Sequence, residues 1–160
     1  GLDGFERSEM LQLGHRHMLE DILRHKESDP SYVPVTMPNT PQLRMTRRID
    51  GCYTLDDTQN GEHFTDSIGI ISDWRKPGPV YEIPFRCLYG KKIKNLITAG
   101  RCISVTDAMW DISRVIPACA VTGQAAGTAA AMSNDFSVLD ISALRKNLTG
   151  VQTDISTVLS

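Results

Sequence analysis

A chain of 160 residues, 41% of them hydrophobic and 22% charged, is long enough to bury one modest core. A formal charge of −2 at pH 7 leaves no basic footprint for nucleic acid, and four cysteines without a Cys-x-x-Cys pair give no zinc-ribbon or thioredoxin-like signature. The opening residues lack the pattern of a secretory leader, so buried reduced thiols and a cytoplasmic setting are expected.

In chain order, residues 7–24 predict an amphipathic helix, with Leu11, Met18, Leu19, Ile22 and Leu23 at helical spacing. Ser8 is its candidate cap, and Pro30 lies beyond its end. Pro30, Pro34, Pro38 and Pro41 then exclude a helix and predict an extended connector or edge strand. Residues 42–53 favour a strand, 56–64 a polar loop, and 67–72 a short apolar strand interrupted by Gly69. Pro77-Gly78-Pro79 marks a turn into a strand over residues 80–83, and residues 90–94 a second turn before a strand over 95–99. That strand ends at Gly100-Arg101. After a polar stretch, a long helix of small residues opens within residues 113–117. Asp140 caps a short final helix over 142–148, which Gly150 ends. The pattern is mixed α+β, with short strands and three helices.

Two places carry candidate chemistry. On its residues alone, Gly100-Arg101 is either a strand-ending turn with a surface arginine or a point where backbone approaches a ligand. The helix start over residues 113–118 holds Pro117, whose missing N–H costs no helical bond there. Its amides and positive dipole end suit either an electron-rich ligand or water. No charged residue occurs between Val115 and Asn134, near the length of a membrane span. The apolar content of that run is mostly alanine, however, so a core helix pressed on a sheet is expected, with Gly123 and Gly127 giving the close approach. His15 and His17 project roughly 200° apart on a helix and cannot share one metal. His63 reads as a surface loop residue, and no metal site is expected.

Asn95, Leu96, Ala99, Gly100, Arg101, Ile103 and Ser104, followed by Arg114, Val115, Pro117, Cys119 and residues 123–127, carry a further signal. Together they resemble the carboxy-terminal signature of the FAD-dependent oxidoreductases related to the fumarate reductase and succinate dehydrogenase flavoproteins. Upstream, Arg47, Arg48, Ile49, Gly51, Tyr53 and Leu55, then Asp66, Ser67 and Ile68, then Tyr81, Ile83, Pro84, Phe85 and Arg86 extend the resemblance. It implies FAD as cofactor and hydride transfer between a small substrate and flavin, with the helix start facing the flavin's pyrimidine side. It also implies cofactor contacts at Ala99, Gly100, Arg101, Arg114, Val115, Ile116 and Pro117. Arg114 is then the candidate catalytic cation, and Arg48 and Arg86 are candidate substrate cations. Many such relatives carry an Asp-x-His where Asp73-Trp74-Arg75 stands here, so no catalytic role carries over from that position.

The Gly-x-Gly-x-x-Gly turn that holds a dinucleotide pyrophosphate is absent, and the sequence opens at Gly1 without a methionine. The expectation is therefore the carboxy-terminal portion of a longer flavoprotein of α/β class. Residues 1–90 would supply a helix, a connector and substrate-domain strands. Residues 91–150 would supply the last strand, turn and helix of a Rossmann-like FAD domain, and 151–160 a tail. Its partner would be the missing amino-terminal FAD-binding portion or a separate chain, and the piece alone would be inactive. A stand-alone interaction or assembly module is the alternative.

Overall fold

Helix α1 spans Gly4–Ser28 in a computed structural model that describes residues 3–40 and 42–148. It begins earlier than the apolar spacing predicts because Asp3, not Ser8, caps it. The Asp3 carboxylate accepts the Glu6 N–H at 2.9 Å, while the Ser8 hydroxyl donates back to the Gly4 carbonyl. Leu11, Met18 and Ile22 are half-buried, whereas Phe5, Leu19 and Leu23 are exposed. The described part of the proline-spaced segment forms no regular element, as its fixed φ angles and missing N–H groups dictate. Tyr32 stacks on His25 with ring centroids 4.9 Å apart. This first unit ends between Thr46 and Arg47.

In the second unit, β1 (Ser67–Ser72) and β2 (Val80–Pro84) pair antiparallel, with Ile70 opposite Glu82 and Ile71 opposite Tyr81. The register is irregular between Ser67 and Ile70, the stretch that holds Gly69. Helices α2 (Asp107–Ser113) and α3 (Ile116–Met132) follow, meeting at 91°. Helix α4 (Ile141–Asn147) is capped by Asp140, whose carboxylate accepts the Ser142 N–H at 2.8 Å. Gly150, its expected stop, lies outside the described residues. Helix α3 lies on β1 and against α4, and Leu55, Ile68, Ile83, Phe85, Leu88, Ile103 and Met109 fill the fully buried core of this unit.

Several expectations are corrected. Residues 42–53 form no strand; from Ile49 onward single backbone bonds run to both sides instead. Ile49 N–H donates to the Cys102 carbonyl at 2.8 Å, and Cys52 N–H to the Tyr89 carbonyl at 2.9 Å. A Cβ on Gly51 would come within 2.5 Å of Ser104 Cβ, so the segments are closer there than a regular ladder allows. Residues 95–99 keep one bridge, between Tyr89 and Ile97. The polar stretch before the long helix is itself helical: Thr106 caps α2 by accepting the Met109 N–H, and Met109, Trp110 and Ile112 are buried.

Gly123 and Gly127 lie on the exposed face of α3 with open space around them. The close approach is made by Ala118, Thr122, Ala125, Ala126 and Ala129. Of the cysteines only Cys87 is buried, which pushes its thiol up to about 12, and Cys102 is exposed. The described residues hold one antiparallel two-stranded sheet, so the fold is mixed α+β. A division at residue 90 would fall inside the second unit, where Gly90 bridges Gly51. Among the described residues no single helix is long and apolar enough to cross a membrane; α2 and α3 qualify only together, across their bend.

Candidate functional site

Gly100 opens a 3₁₀ turn, Gly100–Cys102, at φ +63°, a left-handed conformation that costs other L-residues about 1–2 kcal/mol. Extended backbone at Ala99 leads into it. The Gly100 N–H donates to Thr122 Oγ1 at 2.8 Å, and that buried hydroxyl donates in turn to the Ala118 carbonyl at 2.9 Å. A Cβ at Gly100 would sit 3.2 Å from Cys119 Sγ. The turn is thus locked onto the first turns of α3.

The start of α3 has no side-chain cap, because its N-cap residue is Val115. Ile116 and Pro117 are exposed. The first intrahelical bond runs from Cys119 N–H to the Val115 carbonyl at 2.9 Å. The amides of Ile116 and Ala118 precede it, and the positive end of the helix dipole gathers at the same point. Arg101 is exposed, and its guanidinium has no hydrogen bond or ion pair among the described residues. Burial raises the pKa of the nearby Cys119 thiol, and the Arg101 charge opposes that rise.

Helix α2 organises the arginines around this point. Arg48 pairs with Asp107 at 2.7 Å and lies over the Trp110 ring at 4.6 Å. Trp110 Nε1 donates to the Arg101 carbonyl at 2.8 Å. Arg114, at the bend, donates from Nε to Asp111 Oδ1 at 2.8 Å, and its Nη2 lies 2.7 Å from the same oxygen. Arg75, from the hairpin tip, reaches Asp111 Oδ2 at 3.3 Å, and Trp74 Nε1 donates to the Asp111 carbonyl at 3.0 Å. Three arginines singled out in the sequence, Arg48, Arg101 and Arg114, therefore share one organiser, and Arg75 joins them. Arg86 does not. Its guanidinium takes both oxygens of Asp66, at 2.9 and 3.1 Å, and lies over the Tyr53 ring at 5.0 Å.

Asp73 anchors this corner from below. Hydrogen bonds from Arg75 hold its carboxyl down at about 2, against the upward push of burial. A depressed carboxyl stabilises the fold above its ordinary pKa of 3.8, and that contribution is lost as pH falls from about 4 toward 2. The expected result is that Asp73→Asn is less stable than wild type at neutral pH and that the gap closes near pH 2. Circular dichroism during acid titration checks it; a gap independent of pH would contradict it.

Sequence reading missed a second pair. Glu82, fully buried, accepts the Phe64 N–H at 2.7 Å and contacts His63 Nδ1 at 3.0 Å. His63 is half exposed, so it is a loop histidine as expected, but one oriented by a buried carboxylate. No metal-ligating group of three or more His, Cys, Asp or Glu occurs among the described residues.

A family model described as FAD dependent oxidoreductase matches residues 3–148. Neither the curated proteins nor the solved structures yield a match.

Proposed function

Since the chain belongs to the FAD dependent oxidoreductase family, we propose that the start of α3 and the Gly100 turn hold the pyrimidine end of a flavin beside a small substrate. The observation that carries this reading is the uncapped start of α3, with Arg114 just before it and, in the Gly100 turn bonded to α3, Arg101, whose guanidinium has no partner among the described residues. FAD, when bound, supplies the hydride-transfer chemistry, and negative charge gathers toward its pyrimidine end on reduction.

The residues present fit that group. Ser113 Oγ is the one buried side-chain polar atom without a hydrogen-bond partner among the described residues, and it lies just before the bend. The uncapped amides of α3 and the Arg101 guanidinium, unpartnered among the described residues, are donors of the kind an electron-rich heterocycle accepts, and the Ser113 hydroxyl is a buried donor beside the bend. Ala99, Gly100 and Val115 would border it with backbone only, and Ile116 and Pro117 would shield it from water. Arg114 would face the flavin, where its charge stabilises the reduced ring and can orient an anionic substrate group, while Asp111 fixes its plane. Arg48, close to the Arg101 carbonyl through Trp110, would stand at the substrate side. The hydrogen bonds that Arg86 donates to Asp66 favour a structural role for Arg86.

The finer placement is also proposed: a chain akin to the fumarate reductase and succinate dehydrogenase flavoproteins, supplying the carboxy-terminal part of a Rossmann-like FAD domain. Support comes from the open small-residue face of α3 at Ala120, Gly123, Gly127 and Ala130. The adenine and pyrophosphate half would come from another segment or a partner chain.

Flavin content tests the reading. Protein purified with everything that accompanies it should release FAD on acid treatment, identified by mass. Arg101→Ala and Arg114→Ala should each weaken FAD binding by about ten- to a hundredfold, the loss of one charge-assisted hydrogen bond. Absence of flavin, or unchanged affinity in both variants, would overturn it.

A further inference from the structure

We propose that Asp111 is a positioning residue for Arg114, and that the β1–β2 hairpin tip is the second jaw of the clamp that holds it. The inference rests on the flavin-facing reading of Arg114 and goes beyond it by naming what sets that arginine's place.

The geometry is specific. Both Arg114 contacts fall on Asp111 Oδ1, at 2.8 and 2.7 Å, while Arg75 uses Oδ2 at 3.3 Å. Asp111 therefore divides its oxygens between two arginines from different parts of the chain. Its backbone carbonyl accepts the Trp74 indole N–H at 3.0 Å, and the Arg114 guanidinium lies 5.9 Å from the Trp74 ring. Arg75 is in turn held by both oxygens of Asp73, at 2.8 and 2.9 Å. Arg114 is thus gripped from α2 by a carboxylate and faced from the hairpin by an aromatic ring. A planar guanidinium held on one edge by a carboxylate keeps its remaining donors in a fixed direction.

Asparagine at position 111 has one acceptor oxygen in place of two. It can accept from Arg114 or from Arg75, and its NH₂ then opposes the other guanidinium. The charge change and the positional change have opposite signs at a nearby flavin. Removing a negative charge while Arg114 stays in place would raise the midpoint potential. Releasing Arg114 would remove a cation from the reduced cofactor and lower it.

Two measurements test this. In the full chain, ¹⁵N NMR should find the Arg114 Nε–H protected from solvent exchange relative to that of Arg101. Asp111→Asn should speed that exchange by roughly tenfold or more, the loss of a charge-assisted hydrogen bond. In the FAD-loaded protein, Asp111→Asn should lower the flavin midpoint potential, in the direction of Arg114→Ala and by a comparable amount. Trp74→Phe keeps the ring and removes the indole donor at an exposed side chain. It should also speed Arg114 exchange, which keeps the test open if Asp111→Asn does not fold.

Arg114 exchanging as fast as Arg101 in the wild type would overturn the clamp itself. A protected Arg114 with an unchanged or raised potential in Asp111→Asn would overturn its positioning role. If Arg114→Ala leaves the potential unmoved while the clamp is seen by NMR, the flavin-facing reading has failed and the positioning role falls with it.

Discussion

Trp110→Ala is expected to be the most damaging single substitution around the site, costing about 3–5 kcal/mol of stability. The indole is almost entirely buried, its Nε1–H holds the Arg101 carbonyl at 2.8 Å, and its ring carries the Arg48 guanidinium at 4.6 Å. Truncation opens a cavity under α2 and leaves the Arg101 carbonyl without that donor. It also leaves Arg48 with only its pair to Asp107. Trp110→Phe separates the two effects, since it fills most of the space and loses only the hydrogen bond, for about 1 kcal/mol. Denaturant midpoints of the two variants check the difference. Equal losses would mean that the hydrogen bond, not the packing, dominates.

Gly100→Ala should cost about 2–3 kcal/mol, from two sources. The left-handed backbone, φ +63°, disfavours any Cβ, and the added methyl would lie 3.2 Å from Cys119 Sγ. Any backbone shift that relieves the clash strains the Gly100 N–H bond to Thr122. Combining Gly100→Ala with Cys119→Ala should recover the steric part and leave the backbone part, a non-additive pair of neighbours. Strict additivity in thermal melts would show that Cys119 does not limit the turn.

What the sequence made legible follows the range of the forces involved. The Asp140 cap and the turn at Gly78 depend on neighbours a few residues away, and both are legible in the sequence. Ser8 and Asp3 are both good capping residues, so composition could not choose between them; the carboxylate that reached the Glu6 N–H did. Helix α2 escaped notice because seven residues give too short a period to register. Thr106-Asp107 ahead of Met109, Trp110 and Ile112 was the available signal.

Glu82 was hidden for another reason. It alternates with Tyr81 and Ile83 along β2, yet all three are buried, so alternation carried no information about its face. Gly100, Arg101 and Arg114 could be named only through the family resemblance, since locally they read equally as a turn and surface arginines. Their supports could not: Arg75 meets Asp111 across 36 positions of chain, and only the folded hairpin brings them together.

The most direct test of the central claim is hydrogen–deuterium exchange of the protein with and without FAD, read by mass spectrometry across residues 95–120. Slower exchange on FAD binding, concentrated at residues 99–102 and 115–119, is the expected result, because the Gly100 turn and the first amides of α3 would then border the flavin. Unchanged exchange at both segments, with FAD demonstrably bound, would contradict the account.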